Sequence, residues 1–270
     1  CGKIEALAKK LRGKAAEKTR ERLESDVERI RNGGSPSNLD RYFPLCFDGE
    51  ATVFDYAERV FVCESTAVRE GVRAAALQHT EDMKILLLLG ENAALLCPEK
   101  EMILADTEAA SMEYEHKRIN TLSALLDGQC KAIVCSAAAA IQLTIPPDEL
   151  QKHTFSISCG DEIDKNELVK KLIAAGYSRA GQIDGSGQFS VRGGIVDVFP
   201  PNSAVPYRME FFGDEIDSLG EFDLETQRRT KALDGIEISP ARETLFESGE
   251  ILCGKIEALA KKLRGKAAEK

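Results

Sequence analysis

The segment CGKIEALAKKLRGKAAEK occupies residues 1–18 and again residues 253–270, identical at all eighteen positions. Its apolar positions Ile4, Leu7, Ala8 and Leu11 recur at helical spacing, so the fold must bury the same stripe twice or leave one copy of it in water. Two copies set 252 residues apart, with nothing similar between them, do not build a solenoid, whose units must be contiguous to share a core. If the two ends lie close together, as surface termini often do, the copies compete for one groove. One ordered copy per groove is then expected. The other is left in solvent or occupies a neighbouring molecule as a domain swap.

The first copy reads into a long helix over residues 3–31, continued by Leu23, Val27 and Ile30 and closed by the NGGS turn. Residues 35–63 carry Pro and Gly turns and a short apolar run, VFVC, that reads as a buried strand. Residues 68–89 read as helix. From Ala93 the pattern becomes α/β: AALLCP as strand, EYEHKRINTLSALLDG as a helix stopped by Gly128, and KAIVCS as a second strand. AAAAIQLTI then reads as a second helix closed by Pro146 and Pro147, and FSISCG as a third strand. Asp161 or Asp164 is placed to cap the helix KNELVKKLIAAGY. Beyond Tyr177 the chain turns to β. GQFSVRGGIVDVFPP is a hairpin bent at Gly193-Gly194, and YRMEFFGDEIDSLGEFD is another bent at Gly213-Asp214. A helical pattern resumes after ISPARETLF.

Several chemistries find no support in these residues. There is no GxxxxGK[ST] loop to hold a nucleotide phosphate, no HExxH and no GxSxG. The eight cysteines include no CxxC pair, and the first eighteen residues lack the apolar centre of a signal peptide. Residues 85–89 are too short an apolar run to cross a bilayer, so a cytoplasmic chain with mostly buried thiols, no metal and no cofactor is expected. His79, His116 and His153 are scattered, and His116 reads as a solvated surface residue within its helix. The net charge is −9, and removing one terminal copy, with six Lys or Arg against two Glu, takes it to −13. Proteins that neutralise phosphates are usually basic, so this balance favours a protein partner over strong nucleic-acid binding. GDEID occurs at residues 160–164 and 213–217, where helix-cap and turn chemistry account for it better than paired metal sites.

One face stands out. In YRMEFFG a period of two puts Met209 and Phe211 on one side and Arg208, Glu210 and Phe212 on the other. Arg192, just before the Gly193 bend, belongs to the neighbouring hairpin. Arginine and an aromatic ring on a rigid sheet suit a protein–protein hot spot. The same pattern also fits a Phe212 covered by a loop, with the arginines in ordinary surface ion pairs.

The stretch from GQFSVRGGIVDVFPP to FDLETQRR, with RGG-I-x-D-x-F-P, then FFGDEIDS, then FD-x-x-TQR, resembles the N-terminal module of bacterial transcription-repair coupling factors (Mfd). It is more distantly similar to the matching part of the excision-repair helicase UvrB. Weaker likeness extends through HKRINTLSALL, AIVCSAAAAIQLTIPP and LDRYFPLCFDGEATVFDYAERVFVCE. The resemblance implies an α/β fold: a degenerate ATPase-like domain over residues 1–156 and 241–270, with a small β-rich domain inserted at 157–240. It implies a non-catalytic adaptor that recruits UvrA to begin nucleotide excision repair, with Arg192, Arg208 and Phe212 at the partner contact. Two other readings remain: a fragment of a UvrB-type ATP-dependent helicase, and a clamp on the remaining domains of a parent protein that masks the patch. The order of segments differs from the family, in which the region of RYFPLCFDGEATVFDY comes last. A circle cut within the long helix and read past its start by eighteen residues reproduces the sequence, and the family's opening strand and helix are missing or shortened.

Overall fold

The computed structural model describes residues 14–32, 39–47, 49–56, 94–100, 112–130, 132–246 and 248–264. They fall into two compact units: residues 1–50, 103–110 and 244–270, and residues 51–102 with 111–243. The first is helical. Helix α1 (Lys14–Arg31) is the described part of the helix expected over 3–31. Its stripe of Leu23, Val27 and Ile30 is buried against α7 (Gly249–Arg264) together with Leu39, Tyr42 and Leu45. The α7 stripe is Leu252, Cys253, Ile256 and Ala260, three of which belong to the second copy of the terminal segment. The helices run antiparallel: Gly249 lies against Ile30, and the Cys253 thiol is 3.6 Å from the Val27 carbonyl. A Cβ on residue 249 would sit 3.0 Å from Ile30 Cγ2, so the helices approach closely here. Asp26 is buried beneath the short helix α2 (Phe43–Cys46) and its preceding turn, where it accepts from the Tyr42 hydroxyl at 2.6 Å and pairs with Arg41 at 3.2 Å. Burial, with Asp26 beside it, pushes the Tyr42 hydroxyl well above its usual pKa. The second copy is therefore docked. Residues 1–13, which hold most of the first copy, and the elements expected over 60–63 and 68–89 lie outside the described residues.

The second unit begins with a parallel pair, β1 (Ala94–Leu96) and β2 (Ala132–Val134), joined through α3 (Glu113–Leu126). The reading of strand, helix and strand holds here, and Gly128 sits at φ 68 just beyond α3. The helix expected over AAAAIQLTI is much shorter. Helix α4 spans Ala137–Ile141 and Thr144 forms an antiparallel bridge with Ala51. The prolines do not act as terminators. Pro147 opens a further helix, α5 (Pro147–His153), because the first helical position lacks an intrahelical N–H partner in any case. His116 is also not a solvated side chain: it is partly buried, and its Nε2 lies 3.1 Å from the Ala241 carbonyl. Burial lowers its pKa, which favours the neutral ring as donor to that oxygen.

Arg118 and Glu243 are fully buried and joined at 2.7 Å. The same carboxylate accepts from the Thr144 hydroxyl at 2.6 Å and pairs with Lys100 at 3.1 Å, while Arg118 Nη1 donates to the Pro98 carbonyl at 2.8 Å. Arg118 reaches this site from α3, tying three sequence-distant segments together. No helix among the described residues is long and apolar enough to cross a membrane.

The rest of the unit is β-rich, giving a mixed α/β chain. β3 (Phe155–Ser158) pairs antiparallel with β10 (Gly235–Ile238). A six-stranded sheet runs in sequence order through β4 (Ser178–Arg179), β5 (Gln188–Arg192), β6 (Ile195–Phe199), β7 (Tyr207–Phe212), β8 (Glu215–Phe222) and β9 (Arg229–Ala232). The two expected hairpins are β5–β6 and β7–β8. The sequence reading did not extract β4, β9 or β10. One face of the sheet buries Phe189, Val196, Val198, Met209, Ile216 and Leu219 with Leu168 and Leu172 of α6 (Lys165–Ala174). Asp164, not Asp161, caps α6: its carboxylate accepts from the N–H groups of Asn166 and Glu167 at 2.9 and 3.0 Å. Asp164→Ala is expected to cost about 1 kcal/mol in urea unfolding, since it strands both donors.

Candidate functional site

The opposite face of the six-stranded sheet carries the polar residues. Register places Ser190, Asp197, Arg208 and Gly220 in one row across β5 to β8, and Arg192, Ile195, Glu210 and Ser218 in the next. Directly opposed residues of an antiparallel sheet project from the same face, so each row is a set of neighbours. Gly220 must be bare, because a Cβ there would meet the Lys231 carbonyl oxygen at 2.3 Å. That space lets β9 close over the end of the row.

Asp197 is the centre of the site and is only 1% exposed. Arg208 grips it two-pronged, Nε to Oδ1 at 2.7 Å and Nη2 to Oδ2 at 2.9 Å. Such a bidentate fork is the strongest arrangement for this ion pair. Arg208 Nη1 donates to the Gln227 carbonyl at 2.9 Å and Nη2 to the Gln227 side-chain oxygen at 3.2 Å, and the guanidinium stacks over Phe222 at 4.3 Å. The bonds from Asp197 raise the pKa of Arg208 above its usual value. Arg192 reaches the same carboxylate from the hairpin end, Nη2 to Oδ2 at 2.6 Å. Its side chain is 42% exposed against 12% for Arg208, so Arg192 has donors left for a partner and Arg208 has few.

Two local devices hold these side chains. Gly193, at φ 59, makes the tight β5–β6 bend, and its carbonyl accepts from Lys165 Nζ at 3.2 Å. On the other side the β8–β9 turn folds back over the row. Gln227 adopts φ 58, an uncommon left-handed conformation for a residue with a side chain. It is fixed there by its N–H to the Asp223 carbonyl at 2.8 Å and its amide to the Leu224 carbonyl at 2.7 Å. Asp223 in turn accepts from the Thr226 N–H and hydroxyl, which lower its pKa.

Phe212 lies on the same face as Arg208, four residues and roughly 13 Å further along β7. It is 81% exposed, the most exposed large hydrophobic side chain among the described residues, and no loop covers it. The sequence-derived trio thus divides. Arg192 and Arg208 converge on one carboxylate, while Phe212 projects separately at the strand end. Sequence reasoning missed Asp197 and Gln227. The signal for Asp197 was a lone charge within IVDVF, which a buried strand position tolerates only with a cation beside it.

This stretch has known counterparts. Residues 155–243 match the family described as UvrB interaction domain. The chain is also 35% identical over 164 residues to the transcription-repair-coupling factor of Bacillus subtilis, covering 60% of this chain and 14% of that protein. The transcription-repair-coupling factor of Haemophilus influenzae is 33% identical over 160 residues, 59% of this chain and 14% of the relative. That of Staphylococcus epidermidis is 26% identical over 192 residues, 71% and 16% of the two chains. The chain therefore spans about one seventh of the length of these relatives. All the side chains of the Asp197 cluster fall within the matched residues 155–243.

Proposed function

We propose that this chain is a non-catalytic, cytoplasmic adaptor that binds UvrA and brings it to a stalled transcription complex, opening nucleotide excision repair. The carrying observation is Phe212, 81% exposed on a hydrogen-bonded sheet and sharing its face with the half-exposed Arg192. A large ring held in water by a rigid backbone loses little entropy on docking, which is the property of a hot-spot anchor. Arg192 supplies directional donors beside it. Arg208 contributes chiefly by fixing Asp197, which fixes Arg192. The partner-binding part corresponds to residues 157–240, with residues 1–156 and 241–270 as the degenerate ATPase-like domain that carries it. The likeness to transcription-repair-coupling factors supports the repair setting.

The test is capture of purified UvrA by the immobilised chain, with purified UvrB in a parallel arm. Saturable capture of UvrA, lost in Phe212→Ala, is expected. Capture of UvrB with none of UvrA, or DNA-stimulated ATP hydrolysis by this chain alone, would contradict the reading.

A further inference from the structure

The two GDEID segments are paired with each other. Glu162 and Glu215, the central residue of each copy, form an antiparallel bridge. Around it the Ile163 N–H donates to the Asp214 carbonyl at 2.8 Å, the Ile216 N–H to the Asp161 carbonyl at 3.0 Å, and the Gly160 N–H to the Ile216 carbonyl at 2.8 Å. The pentapeptides thus lie head to tail about a local twofold. Glu215 is also the register partner of Phe212 on β7. Phe212, Glu215 and Glu162 therefore form one exposed row across three chain segments, on the face that carries Arg192. Like charges directly opposite each other in a sheet are destabilising, and neither glutamate has an ion-pair partner among the described residues.

We propose that Glu162 and Glu215 form the acidic rim of the Phe212 docking surface. The partner it fits is a folded protein surface with an apolar pocket for Phe212, lysines or arginines facing the two glutamates, and a carboxylate facing Arg192. This rests on the reading of Phe212 as a partner anchor and adds to it a second, oppositely charged edge. The face then has a polarity, basic at the hairpin end and acidic at the paired GDEID end, which fixes the direction in which a partner seats. Because the carboxylates are exposed, their effect is on encounter more than on residence, and salt screens it.

The experiment measures association and dissociation rates of UvrA with the wild-type chain, with Glu162→Gln/Glu215→Gln, and with Phe212→Ala, at low and high salt, alongside urea unfolding of each. The double variant is expected to be at least as stable as wild type, because it relieves a repulsion. Its association rate should fall about fivefold or more at low salt, the deficit shrinking at high salt with dissociation little changed. Wild-type rates for the double variant, with binding lost in Phe212→Ala, would overturn the acidic rim and leave the anchor standing. Wild-type rates for all the variants would overturn both.

Discussion

Glu243→Ala is expected to destabilise the chain by about 3–5 kcal/mol in urea unfolding, more than any surface substitution in it. The carboxylate is fully buried and answers two cations, Arg118 at 2.7 Å and Lys100 at 3.1 Å. Arg118 is itself fully buried, so truncating its partner leaves a guanidinium in the core with only the Pro98 carbonyl and the Cys97 sulfur beside it. The cost arises from that stranded charge more than from the lost attraction. The same cluster sets an acid limit. Burial raises the Glu243 pKa, but Lys100, Arg118 and the Thr144 hydroxyl outweigh it and leave the group below its usual value. A carboxyl lowered on folding contributes fully above its unfolded pKa of about 4.3, and that contribution is lost as pH falls through the folded value. Wild type should therefore lose stability with acid below about pH 4, and Glu243→Gln should show a shallower acid slope. A Glu243→Ala loss under about 1 kcal/mol would show that water reaches the cluster.

Asp197→Ala is expected to be the next most damaging change, at about 3 kcal/mol, and to weaken partner binding beyond its effect on folding. It frees both arginines at once. Arg208, 12% exposed and stacked on Phe222, cannot turn out to water without dismantling the Gln227 turn. Arg192, 42% exposed, can turn out, which keeps the cost at the lower end and removes its fixed aim. Urea unfolding reads the first effect. A UvrA titration of the folded variant reads the second, and Asp197→Asn, which keeps an acceptor oxygen, should recover part of both. Unchanged stability in Asp197→Ala would mean that the cluster is ornamental.

The β-rich part was largely legible in the sequence because its signals are local. Gly193-Gly194 and Gly213-Asp214 fix the hairpins, alternation fixes the faces, and the Asp161/Asp164 pair marks the start of α6, with the structure choosing Asp164. Exposed β9 carried no apolar alternation to reveal it. Pro147 reads equally as a stop or as a first helical residue, and only the burial of Leu150, within α5, decides between them. His116 reads as a surface residue because sequence shows a polar ring among charges but not the Ala241 carbonyl that arrives from more than a hundred residues away. The convergence of Arg192 and Arg208 on Asp197, and the pairing of the two GDEID segments, depend on strand register. Register is set by the whole sheet, so neither could be read from the motifs alone. The duplicated terminal segment was legible as an amphipathic helix, and its second copy buries Ile256 and Ala260 of the expected stripe, with Leu259 partly covered.

The most direct test of the central claim is calorimetric titration of UvrA with wild type and Phe212→Ala, each checked by urea unfolding. Because Phe212 is 81% exposed, its removal should leave the unfolding midpoint in place while weakening binding by more than ~1 kcal/mol. Equal affinity of the two chains for UvrA, with both fully folded, would contradict the account.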